Sequence, residues 1–447
     1  MPEGPPGRAD VVIVGAGTAG CVLAAALSAD PRRRVVLIDA GAPGPDPTLG
    51  GLDYLAGAAP GRFWEDDLVE RVAGQPPRPY RSGRGVGGSA AVNGMVAVPP
   101  TATDFAAWQG AGCPTWSADA VGPAIDALGA GWTATPRASL GPLELALAAA
   151  SEWSGLGEFA PVALERMGER RASVADRLLG PALGREQLTV VPNSTVHQLV
   201  LDGSRAIGVA IDGTVIEAAE IVLACGAIRS PLLLAASGLG DVLDGGRLTD
   251  HPSGTFTLHL QAQLSWQFQT CGALRWRTAS GAIAELLPIA HVGDDLAAVT
   301  LAIMDPVSTG VVQRNGQPVA SLGMLSSERD RLAMREAVGD ALRVLDAPAL
   351  TSLVKRVSAG SLGIAASDLR DAPDALLDEW VDATGPLLHA GCSLPMGTVL
   401  DEQGCVPGIA GMRIIDASAL PVLPTAAPNA TVSVLAAHLA ATWPAPG

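Results

Sequence analysis

A glycine-rich turn near the N-terminus has the residue spacing that binds dinucleotides. It reads Gly15-Ala16-Gly17-Thr18-Ala19-Gly20. In this motif the first glycine permits a tight turn, the second lets backbone N–H groups approach a pyrophosphate, and the third allows a helix to pack closely on a strand. Asp39 follows at the end of the next apolar run, where an acid can hold a ribose hydroxyl. We therefore expect a dinucleotide site at this turn.

The segments around the turn have the secondary structure that the motif requires. Val11–Val14 is predicted as a buried strand, Cys21–Ser28 as a helix, and Val35–Ile38 as a second strand that ends at Asp39. This context makes a glycine turn without a ligand the less favoured alternative. Residues 11–29 carry no charge, but their glycines and the charges on either side favour a buried strand and helix over a membrane span.

Similar elements recur further along the chain. Strands are predicted at 188–191, 198–201, 206–211, 214–216, 221–224 and 412–416, and helices at 230–236, 324–345 and 429–441. Asp212-Gly213 is typical of a two-residue hairpin turn. Residues 103–128 and 371–382 have helical patterns, 251–317 is strand-like with turns, and 42–48 is a loop. Dinucleotide-type elements thus stand at the start, middle and end of the chain, which predicts two lobes that are discontinuous in sequence.

Composition limits the classes of function. The 447 residues suffice for two or three domains, and 48% of them are hydrophobic. A formal charge of −16 disfavours nucleic acid and anionic membranes as partners. Six scattered cysteines form no metal or disulfide pattern, so we expect no metal site and a reducing, cytoplasmic setting, with peripheral membrane association left open. Residues 1–8 do not resemble a signal peptide.

A second glycine-rich stretch, residues 81–94, is too rich in glycine for a stable helix or strand. It is typical of a backbone that passes close to a flat or charged ligand, and a long surface loop is the alternative. Its Gly83 to Asn93 part resembles the first signature of the glucose–methanol–choline (GMC) flavoprotein oxidoreductases, with Ser82 and Ala90 as departures. Residues 10–41 resemble the N-terminal FAD motif of that family, with Asp39-Ala40-Gly41 in place of the usual Glu-Ala-Gly.

Three further motifs of the same family follow in the right order. The first is the second signature, which residues 226–240 resemble together with the Asp-His-Pro that follows it in the family, here Asp250-His251-Pro252. His389 with Met396-Gly397 resembles the C-terminal histidine motif, although Cys392 and Ser393 depart from it. Asp416-Ala417-Ser418, Pro421 and Asn429-Ala430 resemble the closing motif. Five ordered motifs identify the chain as a member of the GMC family.

The resemblance implies an α/β fold. It consists of an FAD-binding, doubly wound domain and a smaller substrate-binding domain with an antiparallel sheet and helices. We assign residues 1–102, 186–253 and 383–447 to the FAD-binding domain. Residues 103–185 and 254–382 are assigned to the substrate-binding domain.

The resemblance also implies a chemistry, in which a hydride passes from the carbinol carbon of an alcohol to flavin N5 while a base takes the hydroxyl proton. His389 is the expected base, since histidine titrates in the right range, and Asn429 is expected to orient the substrate oxygen. Val92 occupies the position where some relatives attach FAD through histidine, so non-covalent FAD is expected. The expected cofactor-binding residues are Gly15, Gly17, Thr18, Ala19, Gly20, Asp39, Ala40, Gly87, Gly88, Asn93, Gly94, Val196, Gly226, Asp416, Ala417, Asn429 and Ala430.

The substrate and the electron acceptor are left open by these residues. One hypothesis is the mycofactocin-associated branch of the family, which would reoxidise a reduced redox cofactor and pass electrons to a respiratory carrier. The alternatives are a dehydrogenase or oxidase of small or choline-like alcohols, and a flavin-binding module without catalysis. A nicotinamide-dependent dehydrogenase is disfavoured because it leaves the later motifs unexplained.

Overall fold

The computed structural model describes residues 6–44, 61–264 and 270–445, without the side chain of Ser361. The strands of these residues are β1 (Arg8–Val14), β2 (Val35–Ile38), β3 (Leu68–Val72), β4 (Arg78–Pro79), β5 (Trp132–Thr133), β6 (Glu158–Pro161), β7 (Leu164–Met167), β8 (Arg170–Arg171), β9 (Leu188–Val191), β10 (Val196–Asp202), β11 (Arg205–Ile211), β12 (Thr214–Leu223), β13 (Ser253–Leu260), β14 (Gly272–Arg277), β15 (Ile283–Gly293), β16 (Leu296–Ile303), β17 (Val311–Val312), β18 (Ala320–Met324), β19 (Val354–Ser358) and β20 (Met412–Ile414).

The α-helices connect and cover these strands. They are α1 (Thr18–Leu27), α2 (Ala102–Gly110), α3 (Ala118–Gly129), α4 (Pro142–Ser154), α5 (Gly180–Ala182), α6 (Gly226–Ala236), α7 (Glu328–Leu345), α8 (Pro348–Thr351), α9 (Asp374–Thr384) and α10 (Pro428–Ala441). Over the described ranges we find no helix with the length and apolarity that a membrane crossing requires.

A seven-stranded sheet carries the glycine turn. Its order is β10-β11-β12-β1-β2-β9, and β20 pairs with the C-terminal part of β12. The strands β20, β12, β1, β2 and β9 run parallel, whereas β10, β11 and the start of β12 form an antiparallel extension. Because these parallel strands share one carboxyl edge, the turns after β1, β2, β12 and β20 meet there, where open α/β sheets bind ligands.

The second large sheet has six antiparallel strands in the order β19-β13-β16-β15-β14-β6. Helix α7 packs on β15 and β16, and α9 packs on β13. These elements share one hydrophobic core, while α1, α10 and the parallel sheet form another. The α/β prediction with a separate antiparallel sheet is therefore confirmed.

The predicted domain boundaries stay a prediction, and packing favours two adjustments to them. Helices α2 and α3 bury Phe105, Trp108 and Val121 in the core of the parallel sheet, although we assigned residues 103–185 to the other domain. Conversely, β3 contributes Val69 and Val72 to the core of the antiparallel sheet. The apolar faces of α2 and α3 thus pack on the parallel sheet, and that of β3 packs with the antiparallel sheet.

Most predicted elements are present, with different bounds. The predicted strands 214–216 and 221–224 are one strand, β12, because it continues from the hairpin partner β11 to the parallel neighbours β1 and β20. The helix predicted at 324–345 begins at Glu328, since residues 320–324 pair as β18. Two predictions fall partly outside the described residues. They are the loop at 42–48, of which residues 45–48 are not described, and the segment 1–8, which does not resemble a signal peptide and of which residues 1–5 are not described.

Candidate active site

The turn after β1 is closed by contacts that only glycine allows. Gly15 has a φ of +101°, and its N–H donates to Ile38 O at 2.8 Å. A Cβ at Gly15 would meet Ala224 O at 2.4 Å, and a Cβ at Gly20 would meet Gly15 O at 1.9 Å. Ala19 is buried beside them. The first and third glycines are therefore required by the packing of β1, α1 and β12.

Asp39 holds the glycine turn through its carboxylate. The N–H groups of Ala16 and Gly41 each donate to it at 2.8 Å. Ala40 O accepts from Arg84 of the second glycine-rich stretch at 3.1 Å. The Ser194 N–H donates to Asp39 O, which brings the chain just before Val196 to the same end of the sheet. These contacts bring Asp39, Ala40 and the segment just before Val196 together, and their part in binding FAD stays a prediction.

The second glycine-rich stretch packs directly against the first. Gly87 N–H donates to Ala16 O at 2.7 Å, and a Cβ at Gly88 would meet Gly17 Cα at 2.8 Å. Asn93 and the adjacent Gly94 follow a short 3₁₀-helix at Gly88–Ala91. Buried Arg171 donates to Asn93 O at 2.6 Å and to Asn93 Oδ1 at 3.0 Å. None of the motifs recognised in the sequence contains this arginine.

Asp416 joins the second signature to the closing motif. Its buried carboxylate accepts hydrogen bonds from the Gly226 N–H and Ser230 hydroxyl, at 2.8 and 2.5 Å, and from the Ser418 N–H at 2.7 Å. Burial raises the pKa of Asp416, and these donors oppose that rise. Ala417 O accepts from Cys392 N–H, so the closing motif also contacts the histidine motif.

Asn429, in the first turn of α10 beside buried Ala430, contacts the glycine turn. The Thr18 hydroxyl donates to Asn429 Oδ1 at 2.7 Å, and Asn429 Nδ2 donates to Glu165 at 2.8 Å. Glu165 is buried and pairs with Arg177 at 2.9 Å. Both polar atoms of the Asn429 amide thus have partners within the protein, and its predicted cofactor-binding role stays a prediction. Its role as the group that orients substrate stays a prediction.

The cradle formed by these segments fits a bound FAD. Helix α1 begins after its N-cap residue Gly17, with no side-chain cap and no acid in its first turn, so its positive N-terminal end is free to face an anion. A Cβ at Gly17 would have only Ala224 O near it, at 3.9 Å, and Cβ atoms at Gly94 and Gly226 would meet nothing within 4 Å. These glycines border open space, as a pyrophosphate and a flat ring require.

His389 lies beside His251 at the junction of the two sheets. Thr249 and Gly391 exchange two backbone hydrogen bonds, of 3.0 and 2.9 Å, which aligns the two histidine segments. The Nδ1 atoms of His251 and His389 are 2.9 Å apart, and His251 Nε2 is 3.1 Å from Pro424 O. In the sequence, His251 was recognised only as part of the Asp250-His251-Pro252 motif.

The hydrogen-bond chain fixes the tautomers of both histidines. Burial lowers the pKa of His251 far below its usual value and that of His389 to about 4, so both rings are neutral near pH 7. A carbonyl oxygen only accepts, so His251 Nε2 carries hydrogen and donates to Pro424 O. His251 Nδ1 is then the acceptor for His389 Nδ1–H. His389 Nε2 is left with a lone pair.

Asp250 and Tyr80 lie behind the histidine pair. The Asp250 carboxylate accepts from the backbone N–H of His251 at 2.8 Å and of His389 at 3.0 and 3.1 Å. The Tyr80 hydroxyl donates to Asp250 at 2.6 Å and accepts from Ala390 N–H at 3.0 Å. Both side chains are buried. Asp250 belonged to a recognised motif, but nothing in the sequence linked Tyr80 to it.

Other groups near the site are unsuited to catalysis. Burial raises the pKa of the Cys392 thiol to about 12, so it carries no thiolate near pH 7. Within the described part of the chain, no group of three or more His, Cys, Asp or Glu side chains could hold a metal ion. His438 packs edge-on against Trp116. The histidine pair is therefore the candidate for the basic group of this site.

Comparison with known proteins agrees with this architecture. Two family models described as GMC oxidoreductase match the chain, one over residues 9–253 and one over 306–436. The chain is 27% identical to the 5-(hydroxymethyl)furfural oxidase of Methylovorus sp., with 96% of this chain and 98% of that protein covered. It is 27% identical to the oxygen-dependent choline dehydrogenase of Vibrio vulnificus, with 96% and 93% covered.

A solved structure shares the fold. The pyridoxine 4-oxidase of Mesorbium loti superposes with a TM-score of 0.84 at 24% identity, over 97% of this chain and 99% of that one. The first family model alone spans more than half of the chain and contains the glycine turn, the first two signatures and Asp250. The chain therefore belongs to the GMC oxidoreductase family and is an FAD-dependent oxidoreductase that acts on CH–OH groups.

Proposed function

We propose that this protein oxidises an alcohol, with His389 Nε2 as the base that takes the hydroxyl proton. The observation that carries the proposal is the chain from Pro424 O through His251 to His389, which leaves a lone pair on His389 Nε2. A general base needs such an unprotonated nitrogen within reach of the hydroxyl. His389 is half-buried as a residue, whereas His251 is fully buried.

The surrounding contacts hold the base in one orientation. Pro424 lies in a loop that is fixed at Val422 O by Trp108 Nε1, at 3.0 Å, and at the Thr425 N–H by Asp104, at 2.9 Å. A fixed carbonyl fixes the His251 ring, which in turn fixes the ring of His389. Preorganisation of this kind means that the base need not reorient during the reaction.

We propose that FAD is held without a covalent bond by the residues of the cradle. Gly17 and the N-terminus of α1 would face the pyrophosphate, Asp39 the ribose end, and Gly94 and Gly226 the flavin side. Bound FAD supplies the acceptor for the hydride of the carbinol carbon. Asn429 supports this site through Thr18. Val92 has no group that could attach the flavin.

For the substrate we retain the candidates that the sequence suggested. They are a reduced mycofactocin-type redox cofactor, which would connect the enzyme to a respiratory acceptor, and a small or choline-like alcohol. The names of the two sequence relatives support an alcohol of the second kind. A cytoplasmic location also stays a prediction.

The test is anaerobic reduction of the purified flavoprotein by each candidate: a reduced mycofactocin-type peptide, 5-(hydroxymethyl)furfural and choline. We expect one of them to bleach the visible flavin absorbance, and His389→Ala to slow this bleaching at least about a hundredfold, the lower range for loss of a general base. His259→Ala is the matched control, because His259 bonds Ser358 away from the site.

Two results would count against the proposal. Bleaching at the normal rate in His389→Ala would exclude His389 as the base. A flavoprotein that no alcohol bleaches would favour the alternative of a flavin-binding module without catalysis.

A further inference from the structure

The carboxylate of Asp250 is placed where it can act on His389 without touching substrate. It accepts the backbone N–H of His389 and of His251 and the Tyr80 hydroxyl, so none of these contacts involves His389 Nε2. Its exposed fraction is 2%, so water does not screen its charge from the nearby rings.

Base catalysis by His389 creates a charge that needs a counter-charge. When His389 Nε2 takes a proton, the ring becomes an imidazolium inside a buried site, which is unfavourable without a nearby anion. His251 cannot supply one, because its neutral ring already donates to Pro424 O. Arg275, which acts on His251, is a cation and so cannot supply one either.

We propose that Asp250, oriented by Tyr80, is a positioning residue that stabilises the protonated form of His389 during turnover. The inference rests on the proposed role of His389 as the base. Tyr80 connects the two partners, because its hydroxyl donates to Asp250 and accepts from Ala390 N–H, next to His389. The groups that act on Asp250 are the Tyr80 hydroxyl and the backbone N–H groups of His251 and His389, and Arg71 of β3 is the nearby cation.

The titration of Asp250 supplies a signature for this role. Burial raises its pKa from 3.8 to about 7, while the Tyr80 hydroxyl and the two N–H donors oppose the rise. The carboxylate is therefore charged above about pH 7 and neutral below it. We expect the rate of flavin reduction at saturating substrate to fall as the pH drops through that range.

Two variants separate charge from geometry. Asp250→Asn removes the charge, while its amide can still accept from the two N–H groups and donate to the Tyr80 oxygen. We expect flavin reduction at pH 8 to be at least tenfold slower than in the wild type. The fall in rate below about pH 7 (the acid limb of the profile) should be absent. Tyr80→Phe keeps the charge but removes a donor that lowers the pKa of Asp250, so the acid limb should move to higher pH.

The measurement is stopped-flow flavin reduction from pH 5 to 9, with substrate dissociation constants and flavin spectra expected to be unchanged. Asp330→Asn is the matched control, since Asp330 is a buried carboxylate that accepts from Val307 and Ser308 N–H but does not contact a histidine. It should keep the wild-type profile.

The outcomes are distinguishable from a failure of the proposed function. Wild-type rates and pH profiles in Asp250→Asn and Tyr80→Phe, together with an inactive His389→Ala, would overturn this inference alone. Normal reduction by His389→Ala would overturn the proposed function itself. If Asp250→Asn does not fold, the direction of the shift in Tyr80→Phe decides.

Discussion

Gly17 and Gly20 belong to the same motif, but the structure predicts different effects for their replacement by alanine, on cofactor binding for Gly17 and on stability for Gly20. A Cβ at Gly20 would lie 1.9 Å from Gly15 O, whereas real Cβ contacts essentially never fall below 3.0 Å. Helix α1 would have to move away from the turn, and such overpacking costs about 1–3 kcal/mol. Gly20→Ala should therefore destabilise the protein even without cofactor.

Gly17→Ala should leave the apoprotein almost unchanged. The φ of Gly17 is −74°, and only Ala224 O, at 3.9 Å, would lie near the new Cβ. Alanine is a poorer N-cap than glycine, which destabilises the helix, but it also reduces the conformational entropy of the unfolded chain, which stabilises the fold. The two effects are each about 0.5–1 kcal/mol and oppose each other. The methyl group would instead enter the space for the pyrophosphate, so the Kd for FAD should rise at least about tenfold, or about 1.4 kcal/mol.

The assay combines thermal unfolding of the apoprotein, followed by circular dichroism, with titration of FAD by fluorescence quenching. Gly122→Ala in α3 is the control, because a Cβ there meets nothing within 4 Å. Gly17 would not be a cofactor-binding glycine if Gly17→Ala lowered the unfolding temperature as much as Gly20→Ala does, or if it bound FAD with the wild-type Kd.

Three further predictions follow from the same contacts. His251→Leu removes the acceptor of His389 Nδ1–H and should slow anaerobic flavin reduction about tenfold to a hundredfold, the equivalent of about 1.5–3 kcal/mol; an unchanged rate contradicts the tautomer assignment. Burial raises the pKa of Asp250 in the folded protein to about 7. The free energy of unfolding should therefore fall by about 4 kcal/mol as the pH rises from about 4 to 7, because only the unfolded chain releases this proton there. In urea unfolding, the stability of Asp250→Asn relative to wild type should therefore be greater at pH 8 than at pH 5. A stability difference between the two proteins that is the same at pH 5 and pH 8 argues against this. Val92 offers no attachment point, so acid denaturation should release all the FAD into the supernatant, and flavin in the precipitate would disprove non-covalent binding.

Local constraints made much of the fold predictable. The turn at Gly15 to Gly20 needs residues without side chains, and an apolar run before it has few alternatives to a buried strand. The hairpin at Asp212-Gly213 was predicted for the same reason, and both residues have positive φ. Bounds were harder to predict, because the length of β12 is set by its pairing with three other strands.

The partners of the site residues could not be predicted, because they come from segments without motifs. Glu165 and Arg171 lie in a short hairpin, and only the folded chain brings them to Asn429 and Asn93. Pro424 acts through its backbone carbonyl, which every residue type possesses. Side-chain identity therefore carries no signal for its contact with His251.

The contacts of Asp416 and Asn429 also have a consequence for biosynthesis. A ribosome makes Gly15 to Gly20 first, and domains tend to fold from the N-terminus as the chain emerges. Yet the Gly226 N–H is satisfied by Asp416 and the Thr18 hydroxyl by Asn429, which are translated 190 and 411 residues later. The cradle is thus incomplete until both of these late residues have left the ribosome. We expect a nascent chain stalled before residue 416 to retain no FAD, so that cofactor loading is a post-translational step.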